Sequence, residues 1–229
     1  MNVAIGSAFR NSAGEQVTTY LNQVAGLAHH LKPYSTLRVI AVEGDSADDT
    51  RAALASGAVA RRLDLDLRTH NHGQRWFGST EEGDRLAALS GVANEVFAGV
   101  RETDDALIYV ESDLLWDPFT ITSLMDAAVH RRDGFDVVSP LVFAGSRFYD
   151  IWGFRKDGDR FSPLPPYHAG LDGGITEIDS AGSCLVMRGE VARVVRVEDG
   201  RALIGWCAAA RARQFRLGVM AELRIQHPL

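Results

Sequence analysis

The sequence is short of cysteine, of lysine and of long apolar runs. Two cysteines, Cys184 and Cys207, are too few to suggest a disulfide framework or a zinc site. No stretch approaches the roughly 18 to 20 apolar residues that span a bilayer, so no transmembrane segment is expected. The opening Met1-Asn2-Val3-Ala4-Ile5-Gly6 lacks the basic and long apolar regions of a signal peptide, and a cytoplasmic location is expected. Lysine occurs only at Lys32 and Lys156, and the net charge is −6, which argues against a general polyanion binder while leaving room for a local basic cleft. No repeat, linker or low-complexity run divides the 229 residues, so 1–229 reads as one domain.

What is present is an apolar run that ends in acid. Ala106-Leu107-Ile108-Tyr109-Val110 reads as a strand buried on both faces, and Glu111-Ser112-Asp113 follows at once. Side chains at i and i+2 leave a strand on the same side, which places Glu111 and Asp113 together. Two like charges so close repel unless a cation lies between them, and a hard ion such as Mg²⁺ or Mn²⁺ suits oxygen ligands. The plain alternative is a solvated acidic loop after a core strand.

Elsewhere strands and helices alternate. Val3–Gly6 reads as a strand, Glu15–Leu31 as a helix stopped by Pro33, and Leu37–Val42 as a second strand. Glu43-Gly44-Asp45-Ser46-Ala47-Asp48-Asp49-Thr50 is a turn in which Ser46 or Asp48 can cap the helix running through Leu54. The Asp/Leu alternation of Leu63–Leu67 has the period of a strand. This order predicts a mostly parallel α/β sheet flanked by helices, whose ligands sit at the carboxyl ends of the strands. Residues 70–83, with His70, His72, Arg75 and Trp76, form an unusual loop before a helix predicted over Glu81–Val100. Arg85 near that helix start is either an ion-pair partner of Glu81 or Glu82 or a clamp for a diphosphate.

A helix is predicted over Pro118–Val129 and a strand over Phe135–Leu141. Residues 144–176, rich in Gly, Pro and aromatics including Trp152, read as an irregular insertion, either a substrate-facing loop or a flap. Residues Ile175–Arg188 put a polar, small-residue turn before an apolar strand, Leu203–Arg213 reads as a helix, and Leu217–Val219 as a turn into a strand.

Four segments in this order resemble nucleotide-sugar glycosyltransferases of the GT-A fold. Glu43–Thr50 is similar to the D-x-x-S-x-D-x-T segment of inverting family 2 enzymes. Arg85-Leu86-Ala87 with Asn94 resembles the helix before their metal motif. Val110–Asp113 stands in the place of D-x-D, and Glu177–Arg188 is similar to the acceptor-side segment of Anp1/Mnn9-like mannosyltransferases.

The resemblance implies a division of labour. Residues 1–113 would form the nucleotide-donor half and 114–229 the acceptor half. Ser7, Ala8, Arg10, Glu43, Asp45, Arg85, Glu111 and Ser112 would bind the donor; Glu111, Asp113 and His227 would hold Mn²⁺ or Mg²⁺. Trp152, Ser180 and Gly182 would meet the acceptor. The late-helix carboxylate of family 2 enzymes is missing at Leu203–Cys207, which leaves Asp179 as the candidate base, with Glu198 and Asp199 behind it. The implied reaction moves a sugar from a nucleoside-diphosphate sugar to a hydroxyl of a glycan, lipid, protein or modified nucleic-acid base, with inversion, the alternatives to a carboxylate base being retention of configuration or an acceptor that needs little activation. A metal-dependent nucleotidyltransferase and a catalytically inactive GT-A-like binding protein are the alternatives, and assembly into a homo-oligomer is left open.

Overall fold

The computed structural model describes residues 1–32, 34–73, 77, 82–171 and 173–228. Pro33, Glu81 and the loop residues 74–76 and 78–80 therefore lie outside the described residues.

Among the described residues, eleven strands and six α-helices follow one another. They are β1 (Asn2–Phe9), α1 (Glu15–Leu31), β2 (Thr36–Glu43), α2 (Thr50–Arg61), β3 (Asp64–Thr69), α3 (Gly83–Ala98), β4 (Ala106–Val110), α4 (Pro118–Val129), β5 (Val137–Ala144), β6 (Arg147–Phe148), β7 (Arg155–Lys156), β8 (Asp159–Arg160), β9 (Ile175–Glu177), β10 (Cys184–Arg188), α5 (Gly189–Val194), α6 (Ala202–Ala212) and β11 (Leu217–Gln226). The central sheet has the order β3-β2-β1-β4-β10-β5-β11-β9, with β6 paired to β5. β1 to β4 run parallel, as do β5 and β11; β10 runs against both of its neighbours, β4 and β5.

Two apolar layers cover the sheet. One holds Val17, Tyr20, Leu21 and Val24 of α1 with Ile121, Leu124 and Met125 of α4. The other holds Val92, Val96 and Phe97 of α3 with Trp206 and Cys207 of α6. Trp206 stacks on Phe97, ring centres 5.2 Å apart. Local chemistry fixes the ends: Asp117 caps α4 by accepting from Thr120 N–H (3.0 Å), with Pro118 at the first helical position. β3 lies at the sheet edge, where its Asp and Arg side chains blunt an otherwise open edge.

Three stretches differ from expectation. Residues 144–176 are more ordered than an irregular insertion: Phe148, Phe154 and Phe161 are buried around one another, and β7 and β8 form a small hairpin. Aromatic clustering supplies what periodicity does not show. The C-terminal turn and strand are one ten-residue strand, β11, whose register with β5 shifts between Met220 and Arg224. The short helix α5 had no periodic signal, being only six residues long.

Candidate active site

At the carboxyl edge of the parallel strands, β1, β2 and α3 open a cavity of about 370 Å³. Its wall includes Ala8, Arg10, Val42, Gly44, His70, His72, Phe77, Arg85 and Leu89. The segment after β3 closes over the turn after β2. His70 N–H donates to Glu43 C=O (3.1 Å), and Asp45 N–H donates to Asn71 Oδ1 (3.1 Å). Asp45 Oδ2 in turn accepts from His72 N–H (2.6 Å). The approach demands glycine at 44, where a Cβ would meet His70 C=O at 1.8 Å. His72 Nε2 meets Arg10 Nη1 at 3.2 Å and its ring lies 5.8 Å from Phe77. Burial holds His72 below its ordinary pKa; Asp45 opposes this, and Arg10 and His70 reinforce it. A neutral His72 can accept from Arg10. His70 and His72 were not singled out from the sequence, although two histidines at i and i+2 after a strand share a side.

The resemblance-based donor residues divide into two groups. Ala8, Arg10 and Arg85 line the cavity, and Asp45 braces it through His72. Three residues back it instead of lining it. Ser7 is fully buried: its hydroxyl donates to Val110 C=O (2.6 Å) and meets the Tyr20 hydroxyl at 2.9 Å, fixing β1 to β4 and α1. Ser112 Oγ turns toward α1, accepting from Gln16 Nε2 (3.0 Å). Glu43 is buried with its carboxylate 3.7 Å from Arg51. An i, i+2 pattern cannot say which of three successive residues faces inward.

Beside the cavity lies the acidic edge. β10 returns against β4, so Ser183 C=O accepts from Glu111 N–H (2.8 Å) and the Ser183 hydroxyl comes within reach of both Glu111 and Asp150. Burial first, then the charges of Asp150 and Asp113, push the Glu111 carboxyl up to about 8. Burial pushes Asp150 up to about 7. Asp150 Oδ1 accepts from Gly153 N–H (3.0 Å), while Oδ2 is buried without a hydrogen bond. Gly182 is small for this carboxylate's sake: a Cβ there would lie 2.6 Å from Asp150 Oδ2. Tyr149 faces the same group, its phenol raised to about 12 by burial and then by Glu111, Asp113 and Asp150.

β11 brings the last ligand candidate. Leu115 and Gln226 exchange backbone hydrogen bonds (2.7 and 2.9 Å), and His227 Nε2 lies 3.2 Å from Asp113 Oδ2. The His227 ring stacks on Tyr149, centres 4.0 Å apart. Its Nδ1 lies 2.6 Å from Pro228 C=O, which can only accept, so Nδ1 carries hydrogen. Asp113 Oδ1 is buried without a hydrogen bond. A carboxylate, an imidazole nitrogen and this unpartnered oxygen are a donor set that fits Mn²⁺ or Mg²⁺. Among the described residues no three His, Cys, Asp or Glu side chains could hold an ion by themselves, so other oxygen ligands would have to complete the shell.

Asp179, the base implied by elimination, is occupied structurally. Arg211 Nη1 pairs with Oδ1 (2.8 Å) and Gly158 N–H donates to Oδ2 (2.7 Å), so it anchors the β7–β8 hairpin to α6. Asp199 pairs with Arg201 and accepts its N–H before α6, and Glu198 lies 3.8 Å from Arg213. On the acceptor side, Ser180 is buried with its hydroxyl on Gly153 C=O (2.7 Å), and Trp152 C=O accepts from Arg155 (2.6 Å). Ser180 and Gly182 thus pack around the buried Asp150 carboxylate, Gly182 directly and Ser180 through Gly153. Nothing in the sequence distinguished Asp150, because its surroundings come from residues 153, 182 and 183.

This architecture is shared with solved structures. *S. aureus* TarS 1-349 in complex with UDP aligns over all of this chain and 61% of its own, at 12% identity and a TM-score of 0.63. Mannosyltransferase PcManGT from *Pyrobaculum calidifontis*, in complex with GDP-Man and Mn²⁺, aligns over 98% of this chain and 56% of its own, at 15% identity and a TM-score of 0.60. Glucosyl-3-phosphoglycerate synthase from *Mycobacterium tuberculosis*, in complex with Mg²⁺ and UDP, aligns over all of this chain and 70% of its own, at 12% identity and a TM-score of 0.53. The chain has the GT-A fold, as a single α/β domain with a mostly parallel sheet. It spans less than two thirds of the TarS and PcManGT chains. No family model and no curated protein matches the sequence. No described helix is long and apolar enough to cross a membrane.

Proposed function

We propose that this chain is a glycosyltransferase that moves a sugar from a nucleoside-diphosphate sugar to a hydroxyl acceptor by a single inverting displacement. The observation that carries this reading is the meeting of Glu111, Asp113, His227 and Asp150 at one sheet edge, beside a cavity walled by Arg10 and Arg85. Structural neighbours crystallised with UDP, or with GDP-Man and Mn²⁺, support it.

In this reading the cavity takes the nucleoside, with His72 and Phe77 as its flat walls. Arg10 and Arg85 reach the diphosphate as bidentate donors. Asp113 and His227, with Glu111 beside them, would hold Mn²⁺ or Mg²⁺, which would supply charge stabilisation for a departing diphosphate. Asp150 is the base in this reading: the acceptor oxygen attacks the anomeric carbon, the bond to the diphosphate oxygen breaks, and the acceptor proton passes to the Asp150 carboxylate, whose buried Oδ2 must be opened by acceptor binding. A carboxyl lifted to about 7 is matched to proton transfer near neutral pH. Asp179 keeps its place as a hairpin anchor. Nucleotidyl transfer has less support, because Gly6-Ser7-Ala8-Phe9-Arg10 matches only weakly the Gly-rich, Lys/Arg-bearing loop it calls for after the first strand.

The test is release of UDP or GDP from a panel of their sugar conjugates, with Mn²⁺ and mixed hydroxyl acceptors. Turnover that disappears in Asp150→Asn, with nucleotide binding kept, supports the reading. Equal turnover in Asp150→Asn removes Asp150 as base.

A further inference from the structure

Ser183 carries a side chain where the backbone least favours one. Its φ is +41°, in the left-handed region that glycine enters freely and other residues rarely. Among the described residues other than glycine, only Ser183 and Ala202 combine that conformation with burial. Both sides of Ser183 are pinned. Cys184 N–H donates to Gly182 C=O across it, closing a three-residue turn, and Ser183 C=O accepts from Glu111 N–H (2.8 Å). The glycine of this turn stands one place earlier, at 182, where it makes room for the Asp150 carboxylate. A second glycine would relieve the backbone, yet the position holds serine.

The surroundings of the side chain supply the reason. β10 pairs Cys184 with Val110, which sets Ser183 against Glu111, and the turn from Asp150 to Gly153 brings a second carboxylate to the other side. The Ser183 hydroxyl is within hydrogen-bonding reach of both Glu111 and Asp150. Backbone strain that persists at a buried position points to a task for the group it holds. Carboxylates that ligate a metal are themselves held by hydrogen-bonding neighbours, which fix their orientation before the ion arrives. Resting on the metal site of the proposed reaction, we infer that Ser183 is a positioning residue: its hydroxyl, held inward by the left-handed turn, fixes the Glu111 carboxylate beside Asp113 for the divalent cation of a nucleoside diphosphate. Serine is required for the hydroxyl, and the strain is the cost of presenting it.

Metal-linked binding separates the hydroxyl from the backbone. Isothermal titration of UDP and GDP into the intact chain, once in excess Mn²⁺ and once in EDTA, gives the gain in affinity that the ion supplies. The parent, Ser183→Gly, Ser183→Thr and Asp113→Ala would be compared, with the metal-free Tm of each. Ser183→Gly removes both hydroxyl and strain; Ser183→Thr keeps the hydroxyl and adds a branched carbon at the same φ. In Ser183→Gly, nucleotide binding in Mn²⁺ should weaken at least about tenfold, with binding in EDTA within about twofold of the parent and no fall in Tm. In Ser183→Thr, Tm should fall while the Mn²⁺-dependent gain stays within about threefold of the parent. A residue that only shapes the turn gives the opposite order, with the gain following Tm, and that order overturns the inference. So does a Ser183→Gly chain that keeps the parent's gain, and this variant decides alone if Ser183→Thr does not fold. Asp113→Ala tests the site beneath. A gain that Asp113→Ala abolishes and Ser183→Gly keeps leaves the metal site standing and removes Ser183 from it. A parent with no Mn²⁺-dependent gain, or an Asp113→Ala chain that retains it, removes the metal site and the role of Ser183 together.

Discussion

His227 Nε2 lies 3.2 Å from Asp113 Oδ2, an imidazole just past β11 set against a carboxylate just past β4. Such a contact is stable only with a positive charge in it. Carboxylates at the opposite edge of the sheet are handled differently: Asp104 is gripped by the Arg38 guanidinium, and Asp136 by Arg131 (3.0 Å) and Arg188 (2.9 Å). Arginine clasps close one edge. At the other, Asp113 Oδ1 and Asp150 Oδ2 are left buried without hydrogen bonds.

Nucleotide binding should depend on that pair. With Mn²⁺ and UDP or GDP at about 100 times the dissociation constant, thermal unfolding should register roughly 2.7 kcal/mol of added stability. His227→Ala and Asp113→Ala should each lose most of it. Full stabilisation of both variants would remove the pair from the metal site.

The metal-free chain should lose stability as the pH rises. Glu111 titrates at about 8 and Asp150 at about 7 when folded, against ordinary values of 4.5 and 3.8. Across this window the folded chain keeps protons that the unfolded chain has released, so raising the pH from about 4.5 to about 8 favours unfolding. Each kcal/mol lost lowers Tm by about 2–4 °C in a chain of this size. Mn²⁺ should raise Tm more at pH 8 than at pH 5, since it competes with protons for the same oxygens. A metal-free Tm that rises through this window contradicts the assignment.

The two acidic candidates on the acceptor side should separate kinetically. Asp150→Asn keeps the hydrogen bond from Gly153 and should slow transfer by roughly 10²- to 10⁴-fold with nucleotide affinity unchanged. Asp179→Asn should cost under about 1 kcal/mol, the range of a partly exposed ion pair, and leave most of the turnover. A reversal of these outcomes would restore Asp179 as the base.

Ser7→Ala should act on stability and not on the donor. It leaves the buried Tyr20 hydroxyl and Val110 C=O without their partner, at a cost of about 1–3 kcal/mol by chemical denaturation. The nucleotide dissociation constant should stay within about twofold, well under the 1.4 kcal/mol that marks a tenfold change. A large loss of affinity at unchanged stability would return Ser7 to the pocket wall.

Gly44→Ala should do the reverse. Its Cβ would strike His70 C=O, pushing the His70–His72 segment off the cavity. Nucleotide affinity should fall at least tenfold, about 1.4 kcal/mol, with the chain still folded. Unchanged affinity would show that the two histidines do not form the nucleoside wall.

How much of this could be read in advance followed from how local each cause is. α1, β4 and α4 have the bounds expected from apolar spacing and prolines that lie within a few residues of the elements they define. Glu111 and Asp113 were legible because a strand end orders two side chains by itself. Asp150 and the His70–His72 wall were not, since the first acquires its character from Gly153, Gly182 and Ser183 and the second from the turn at Glu43–Asp45. Asp179 illustrates the converse: elimination selected it, but Arg211 and Gly158 decide what it does.

The reversed strand β10 also sets where this chain can be cut. β4 pairs with β1 on one side and with β10 on the other through all five of its residues, from Ala106 to Val110. A fragment ending at Asp113 would expose an unbroken apolar edge and invite aggregation. The first 113 residues are therefore not a detachable module, although most residues proposed to bind the nucleotide come from them.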